Sequence, residues 1–413
     1  MRRDVAVLGA GIVGASVALH LQARGRSVAL IDRRGAGEET SFGNAGMIQR
    51  EGVYPYGFPQ DPRTLARYVL NGSIDASYHL SALPALAPFL WRYWRHSRPA
   101  RHAGIARQYA KLIERCVAEH RALAEAASAA ALLSPGGWQR VFRTAQARDR
   151  GFAEAERWRA EFGIEFRALD AAMLRAGEPH LAPVLTGALH WTEPWRVSDP
   201  HELVRAYVGL LERRGGSFVQ GDAASLQADG EAWRVQTAKG PVQTAAVVVA
   251  LGPWADAVTR ALGYRLPLAV KRGYHMHYRV AGEACLNTPT QDSERGYFMA
   301  QTARGIRLTT GVEFARRDAP RTPVQLERAE PIARALFPLG ERLDAEPWMG
   351  SRPCTPDMLP IIGPAPRHRN LWFAFGHAHH GLTLGPVTGR LVAEMMAGET
   401  PCVDPAPYRA DRF

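Results

Sequence analysis

Residues 4–32 constrain this chain more tightly than any other stretch. An apolar strand, Asp4-Val-Ala-Val-Leu8, runs into Gly9-Ala-Gly11-Ile-Val-Gly14. A helical stretch follows, and a second apolar strand, Ser27-Val-Ala-Leu-Ile, ends at Asp32. Each residue type has a task in that order. Gly9 permits a tight turn, Gly11 lets backbone approach a pyrophosphate, and Gly14 lets the helix pack closely on the strand. Unpaired N–H groups at the helix start, where Ile12 and Val13 stand, favour anions. Asp32 lies 18 residues beyond Gly14, placed to accept hydrogen bonds from an adenosine ribose, with Arg33 beside it. A GxGxxG alone is a weak signal, because glycine turns are common. Strand, motif, helix, strand and acid in register make a dinucleotide site the expectation.

A length of 413 residues accommodates two domains, or one α/β body with a second lobe. The net charge of +11 raises the question of a nucleic-acid partner. Of the 51 basic residues only Lys111, Lys239 and Lys271 are lysine; the rest are arginines spread along the whole chain, without a stripe or an RNA-binding aromatic motif. A solvated basic surface is expected, and no nucleic acid. Cys116, Cys285, Cys354 and Cys402 are scattered, with no CxxC pair and no histidine at ligand spacing, which argues against disulfides, zinc and iron–sulfur clusters. An apolar strand beginning at residue 3 leaves no room for a cleavable leader, and no run of eighteen apolar residues occurs, so a cytoplasmic location is expected.

The remaining chain alternates between the two lobes. Residues 38–49 read as a loop beside the ligand, and 50–100 are irregular and aromatic. The composition of 101–131 predicts one long helix, and another spans 145–162. Gly187–Trp191 reads as a strand, Ser198 or Asp199 as the cap of a helix over 201–214 with Pro200 at its first position, and 233–242 as a hairpin. Val247–Leu251 is a buried strand ending in a tight turn, 264–315 alternates as β-strands, and helices are expected over 321–337 and 386–397. The return strand at 247 sits more than two hundred residues after Gly9, and a further glycine-punctuated strand-to-helix turn falls at 376–386. A large cofactor gripped at several places along the chain accounts for that spacing better than a nicotinamide on a contiguous domain.

Five segments in this order carry a family resemblance: Val7–Gly14; Thr40-Ser-Phe-Gly-Asn-Ala-Gly46; Val247–Ala255; Gly350-Ser-Arg-Pro-Cys-Thr-Pro-Asp357 with Pro360–Gly363; and Gly376-His-Ala-His-His-Gly-Leu-Thr-Leu-Gly-Pro386. Together they resemble the D-amino acid oxidase/dehydrogenase family of FAD proteins, most of all its bacterial D-amino acid dehydrogenases, across the whole chain. The resemblance implies a Rossmann-type α/β domain with a second, antiparallel-sheet substrate domain. Residues 1–50, 140–260 and 345–413 would form the discontinuous FAD-binding domain, and 51–139 with 261–344 the substrate-binding cap. It implies a cofactor site from Gly9, Gly11, Ile12, Val13, Gly14, Asp32, Arg33, Ser41, Asn44, Ala45, Gly46, Ala223, Gly252, Gly376, His377, Gly381, Leu382 and Thr383. Family members with a flavin thioether carry the cysteine several residues before the Thr-Pro-Asp, whereas Cys354 abuts Thr355, so the FAD is expected to be non-covalent.

The implied reaction is oxidative deamination of a D-amino acid. Hydride leaves Cα for the flavin, and the imine hydrolyses to a 2-oxo acid and ammonia. Cyclic or small apolar substrates such as D-proline, D-hydroxyproline or D-alanine lead; the alternatives are a sarcosine-type secondary-amine oxidase and a flavin subunit of a hetero-oligomeric dehydrogenase. Such chemistry needs an arginine to hold the carboxylate in a bidentate pair. Arg352 in the Gly-Ser-Arg turn is the leading candidate, and Arg272 and Tyr274 on a strand of the covering sheet are next. Relatives often place an arginine shortly after the strand that here reads Tyr297–Thr302; Arg304 and Arg307 fall a few residues late. Tyr54 and Tyr56 could close over the substrate, and His380 is expected as a polar pocket wall rather than a metal ligand. Quinone or oxygen is the expected electron acceptor, left open between the two, as is the oligomeric state. The aromatic and basic run Phe89–His96 allows a peripheral membrane contact.

Overall fold

A computed structural model describes all 413 residues. Its first sheet is built around Arg2–Leu8, which pairs in parallel with Val28–Asp32 on one side and Val242–Val249 on the other. Ser217–Gln220 extends the parallel order beyond Val28–Asp32, and Leu371–Phe375 extends it beyond Val242–Val249. Ile361–Pro364 closes that edge antiparallel. These central strands are buried on both faces, which explains their unbroken Val, Ala, Leu and Ile runs. The expected hairpin is present, Ala232–Thr237 pairing antiparallel with Val242–Val249.

Helix Ile12–Gln22 crosses the sheet against the last helix, Gly381–Ala397. The glycines of the last helix set the crossing: a Cβ on Gly385 would lie 2.9 Å from the Ile12 side chain, and one on Gly389 would lie 2.6 Å from the Ser16 carbonyl carbon. Both helices therefore begin at the same edge of the sheet. The last helix starts five residues before the expected Pro386. Proline cannot bond the carbonyl four residues back; here that carbonyl, on Leu382, accepts instead from His120 Nε2 at 2.7 Å. A histidine from a distant helix thus makes the extra turn possible.

The second sheet has eleven strands. Its spine is Ala269–Val280, flanked antiparallel by Gly305–Thr309 on one side and Trp348–Cys354 on the other. Trp138–Phe142, Phe166–Asp170 and Gly187–Trp191 also belong to this sheet. The expected boundaries shift accordingly. Much of 140–191, placed with the cofactor domain by sequence, and the strand 348–354 build the covering sheet. Alternating patterns tell that a strand exists but not which sheet it joins. The single helix expected over 101–131 divides into Pro99–Ile113 and Cys116–Ala126, where a bond from Arg115 N to Leu112 O tightens one turn. Asp199 caps helix Pro200–Arg213 by accepting from His201 N and Glu202 N. No helix is long and apolar enough to cross a membrane.

Candidate active site

A cavity of about 600 Å³ lies between the carboxyl ends of the parallel strands and the inner face of the second sheet. This is where ligands bind in open α/β sheets. Gly9 makes the first turn at φ +104°, and a Cβ there would lie 2.5 Å from the Ala250 carbonyl oxygen of the neighbouring strand. A Cβ on Gly14 would collide with the Gly9 carbonyl, so Gly14 supports the turn from behind rather than lining the cavity. Gly11, Ile12 and Val13 do line it, at a helix start that has no side-chain cap of its own.

Asp32 also faces the cavity. Its Oδ2 accepts from Ala10 N at 2.7 Å and its Oδ1 from Arg34 N at 3.1 Å, which fixes the carboxylate beside the glycine turn. Arg33 lies over the Trp254 ring, 4.5 Å from its centroid, and pairs with Glu39. Ser41 Oγ accepts from Ile12 N at 3.1 Å, tying the 40–46 loop to the first helix. Asn44 and Ala45 line the cavity; Asn44 Oδ1 accepts from Gly46 N, while Gly46 itself pairs with Val197 behind the wall. Ala223 and Gly252 stand on the wall as well.

At the other helix start, Gly381 and Leu382 line the cavity, again with no side-chain cap. Gly376 and Thr383 lie just outside the lining. Thr383 Oγ1 accepts from Gln49 N at 3.2 Å, so it braces the loop after the glycine-rich segment. His377 lines the cavity and shares a 2.9 Å hydrogen bond with Thr388 Oγ1; burial pushes its pKa down to about 3, so it is neutral.

The covering sheet supplies the rest, and here the structure corrects the sequence reading. Ala269–Val280 alternates, and the residues it turns toward the cavity are Lys271, Gly273 and His275, opposite Arg352, Gly350 and Trp348 on the neighbouring strand. Arg272 points the other way and is fully buried. Its Nε donates to Glu313 Oε2 at 2.6 Å, and its Nη groups donate to the Ala319 and Pro320 carbonyls. Tyr274 touches the cavity, but its hydroxyl is committed behind the sheet, donating to Glu313 and accepting from Thr322 N. The choice of Arg272 over Lys271 is a one-residue register error, which exchanges the two faces of a strand.

Arg352 does face the cavity. Its Nη1 donates to Gly311 O at 3.0 Å and Arg272 O at 3.4 Å, while Nε and Nη2 have no protein partner. The guanidinium lies over Gly273, where a Cβ would approach within 2.5 Å. Tyr56 is on the wall with its ring 4.5 Å from that of His379, whose pKa burial and the two nearby cations push well below its usual value. His380, expected on the wall, is instead turned into the protein, where its Nδ1 bonds Tyr109 OH at 2.8 Å. Tyr54 packs on Trp158 and donates to Glu161 outside the cavity. Arg304 pairs with Asp344, and Arg307 donates to the Asn44 carbonyl, so both brace the structure.

Lys271 and His379 went unselected from sequence. A signal for Lys271 was present: it is one of three lysines in a chain whose other basic residues are all arginine.

A parallel sheet whose first turn cradles a dinucleotide, roofed by a second sheet that presents cationic groups, defines a two-lobed dinucleotide-binding protein. The particular family follows from residues 4–395, which match the model described as FAD dependent oxidoreductase, and the chain belongs to that family. The D-amino-acid oxidase of Bradyrhizobium diazoefficiens is 31% identical over 100% of this chain and 99% of its own length. The D-amino acid dehydrogenase of Paramagnetospirillum magneticum is 32% identical over 99% of this chain and 98% of its own. Among solved structures, glycine oxidase from Geobacillus kaustophilus shares the fold with a TM-score of 0.76 at 23% identity, covering 100% of this chain and 99% of that one.

The cofactor of this oxidoreductase is FAD. The residues present fit it. Two helix starts whose N-cap residues make no side-chain hydrogen bond open onto one cavity, the first with Ser41 Oγ on its Ile12 N–H, and a Cβ on Gly9 would crowd the turn that a pyrophosphate needs. Asp32 stands at the end of the second strand, and His379 Nδ1 is a buried polar atom without a protein partner at the other end.

Proposed function

We propose that the protein oxidises a D-amino acid to the 2-oxo acid and ammonia. Bound FAD supplies an acceptor for the hydride that leaves Cα. Arg352 carries this reading: it is a cavity-facing guanidinium held at one nitrogen by two backbone carbonyls, with Nε and Nη2 free for a carboxylate. That geometry suits a bidentate pair, which fixes the substrate in two directions at once. Hydride loss requires the substrate nitrogen in its neutral form, with its lone pair available. Tyr56 and His379 pack ring against ring at a tilt of 46° on one wall, and neutral His379 adds no charge to compete for the carboxylate. Gly11 to Val13, Asp32, Arg33, Ser41, Asn44, Ala45, Ala223 and Gly252 would hold the dinucleotide portion, and His377, Gly381 and Leu382 the far end, without a covalent bond. The D-configuration rests on the names of the curated relatives. Anaerobic mixing of the yellow holoenzyme with paired D- and L-amino acids and sarcosine tests the proposal. Bleaching by D-enantiomers supports it; bleaching only by sarcosine or L-amino acids refutes it.

One surface favours a membrane quinone over oxygen as the acceptor. Val69, Leu70, Leu80 and Trp91 are 71%, 82%, 74% and 59% exposed. Tyr78 OH donates to Val69 O and Asn71 Nδ2 to Tyr78 O, which ties the segment that carries Val69 and Leu70 to the one that leads into Leu80. Arg63, Arg67, Arg92 and Arg95 share these segments, an arrangement that suits an anionic bilayer. Co-flotation with anionic vesicles, but not neutral ones, is the expected result.

A further inference from the structure

Lys271 has no counter-ion. Its side chain is buried to 2% exposure, and its Nζ donates to Tyr93 OH at 2.7 Å and touches Met358 Sδ at 3.9 Å. The ammonium lies 3.9 Å from the centre of the Tyr93 ring and 5.7 Å from that of Phe314. No carboxylate stands within ion-pair distance of it, nor of Arg352, directly opposite on the neighbouring strand. Facing like charges on paired strands are destabilising, and a buried cation without a partner is more so. Burial and the adjacent guanidinium push the Lys271 pKa down to about 8, which still leaves it charged at neutral pH.

The two heads do not converge on one point. Arg352 leans over Gly273, two residues along the strand from Lys271, and anchors on Gly311. Lys271 leans toward Tyr93, which lines the cavity, and toward Met358, which is buried behind the wall. The acids that do line the cavity are engaged elsewhere: Asp75 holds Arg67, Tyr68 and Ser73, Asp222 accepts from Ala224 N, and Asp32, Glu38 and Glu39 belong to the glycine-turn end, where Glu38 accepts from Gly35 N.

We infer that the preferred substrate carries a second anionic group, an acidic side chain that Lys271 receives while Arg352 holds the α-carboxylate. This rests on the amino-acid-oxidising role proposed above and narrows it to dicarboxylic amino acids, in place of the small apolar substrates expected from sequence. A dicarboxylate neutralises both cations in one binding event. A monocarboxylate leaves one of them buried and bare, which is the penalty that produces discrimination.

The test separates this inference from the reading beneath it. Two non-reactive pairs, glutarate with its half-amide and succinate with its half-amide, are titrated into the holoenzyme and followed by the visible flavin spectrum. The diacid of at least one pair is expected to bind at least tenfold more tightly than its half-amide. Lys271→Met is expected to bring that ratio within about twofold of unity, with Lys271→Arg retaining most of it; flavin content reports that each variant is folded. Equal binding of acid and half-amide by the wild type, or an unchanged ratio in K271M, overturns the inference. Reduction by D-glutamate and D-aspartate, compared with D-glutamine and D-asparagine, then reports on turnover. Diacid preference in the binding titrations without reduction by any D-amino acid would refute the D-amino acid reading while leaving the dianion site standing.

Discussion

Gly389 rests directly on the backbone of Ser16: a Cβ on the glycine would lie 2.6 Å from the Ser16 carbonyl carbon and 2.8 Å from Val17 N. Backbone, unlike a side-chain tip, has no rotamer into which to retreat. Two helices from opposite ends of the chain are therefore locked at one crossing, and their N-termini open onto one cavity. Gly389→Leu is expected to cost about 3 kcal/mol or more through overpacking. Flavin retained after gel filtration should fall with it. A variant that keeps both its melting temperature and its flavin would show that the crossing tolerates separation.

His120 satisfies the Leu382 carbonyl that Pro386 leaves open. Burial pushes its pKa down to about 4, against an ordinary value of 6.5. The folded state therefore prefers the neutral ring while the unfolded state takes up a proton between those values. The stability contribution is complete above pH 6.5 and is lost as pH falls toward 4, with a slope of about 1.4 kcal/mol per pH unit for one proton. His120→Gln can keep a donor and removes the titration, so its denaturation midpoint should fall less steeply over that window. His120→Ala leaves the carbonyl unpaired and should cost about 1–3 kcal/mol at pH 7. Urea titrations at pH 7 and pH 5 read both effects.

Arg352 is expected to act on substrate binding without affecting flavin binding. Arg352→Met should raise the apparent dissociation constant for an amino acid by two to three orders of magnitude, as about 3–4 kcal/mol of paired charge is lost. Arg352→Lys should recover little, since an ammonium cannot form the fork. Stopped-flow flavin reduction against substrate concentration distinguishes this from a lowered limiting rate.

Leu70→Glu combined with Leu80→Glu removes apolar area from the exposed patch and adds charge against an anionic bilayer. The double variant should partition onto anionic vesicles at least tenfold less, with unchanged turnover on a soluble dye. Unchanged flotation would assign the patch another role.

Much of the cofactor end was legible because its constraints are local. Gly9 must adopt a left-handed turn, Gly11 to Val13 must start a helix, and Asp32 must end the next strand, so residue type and spacing carry the geometry. Other positions were misread where alternation has two solutions. Arg272 and Lys271 are adjacent basic residues on one strand, and nothing in their neighbours' chemistry says which faces inward. The pairing of Ala269–Val280 with Trp348–Cys354 decides it, setting Lys271 opposite Arg352 and sending Arg272 to Glu313. His379 and His380 present the same ambiguity at a turn: one packs against Tyr56 on the cavity wall, and the other is claimed by Tyr109 from a helix some 270 positions earlier in the chain.

By itself the sequence determined the dinucleotide turn, the two strands that flank it along the chain and the family to which the chain belongs, because each depends on short-range backbone geometry or on motifs written in glycine, proline and apolar runs. Only the tertiary structure decided which side chains meet the substrate, where the last helix begins and which strands roof the cavity. Those outcomes depend on contacts between residues hundreds of positions apart, such as His120 with Leu382 and Lys271 with Tyr93, and no local pattern encodes a partner that distant.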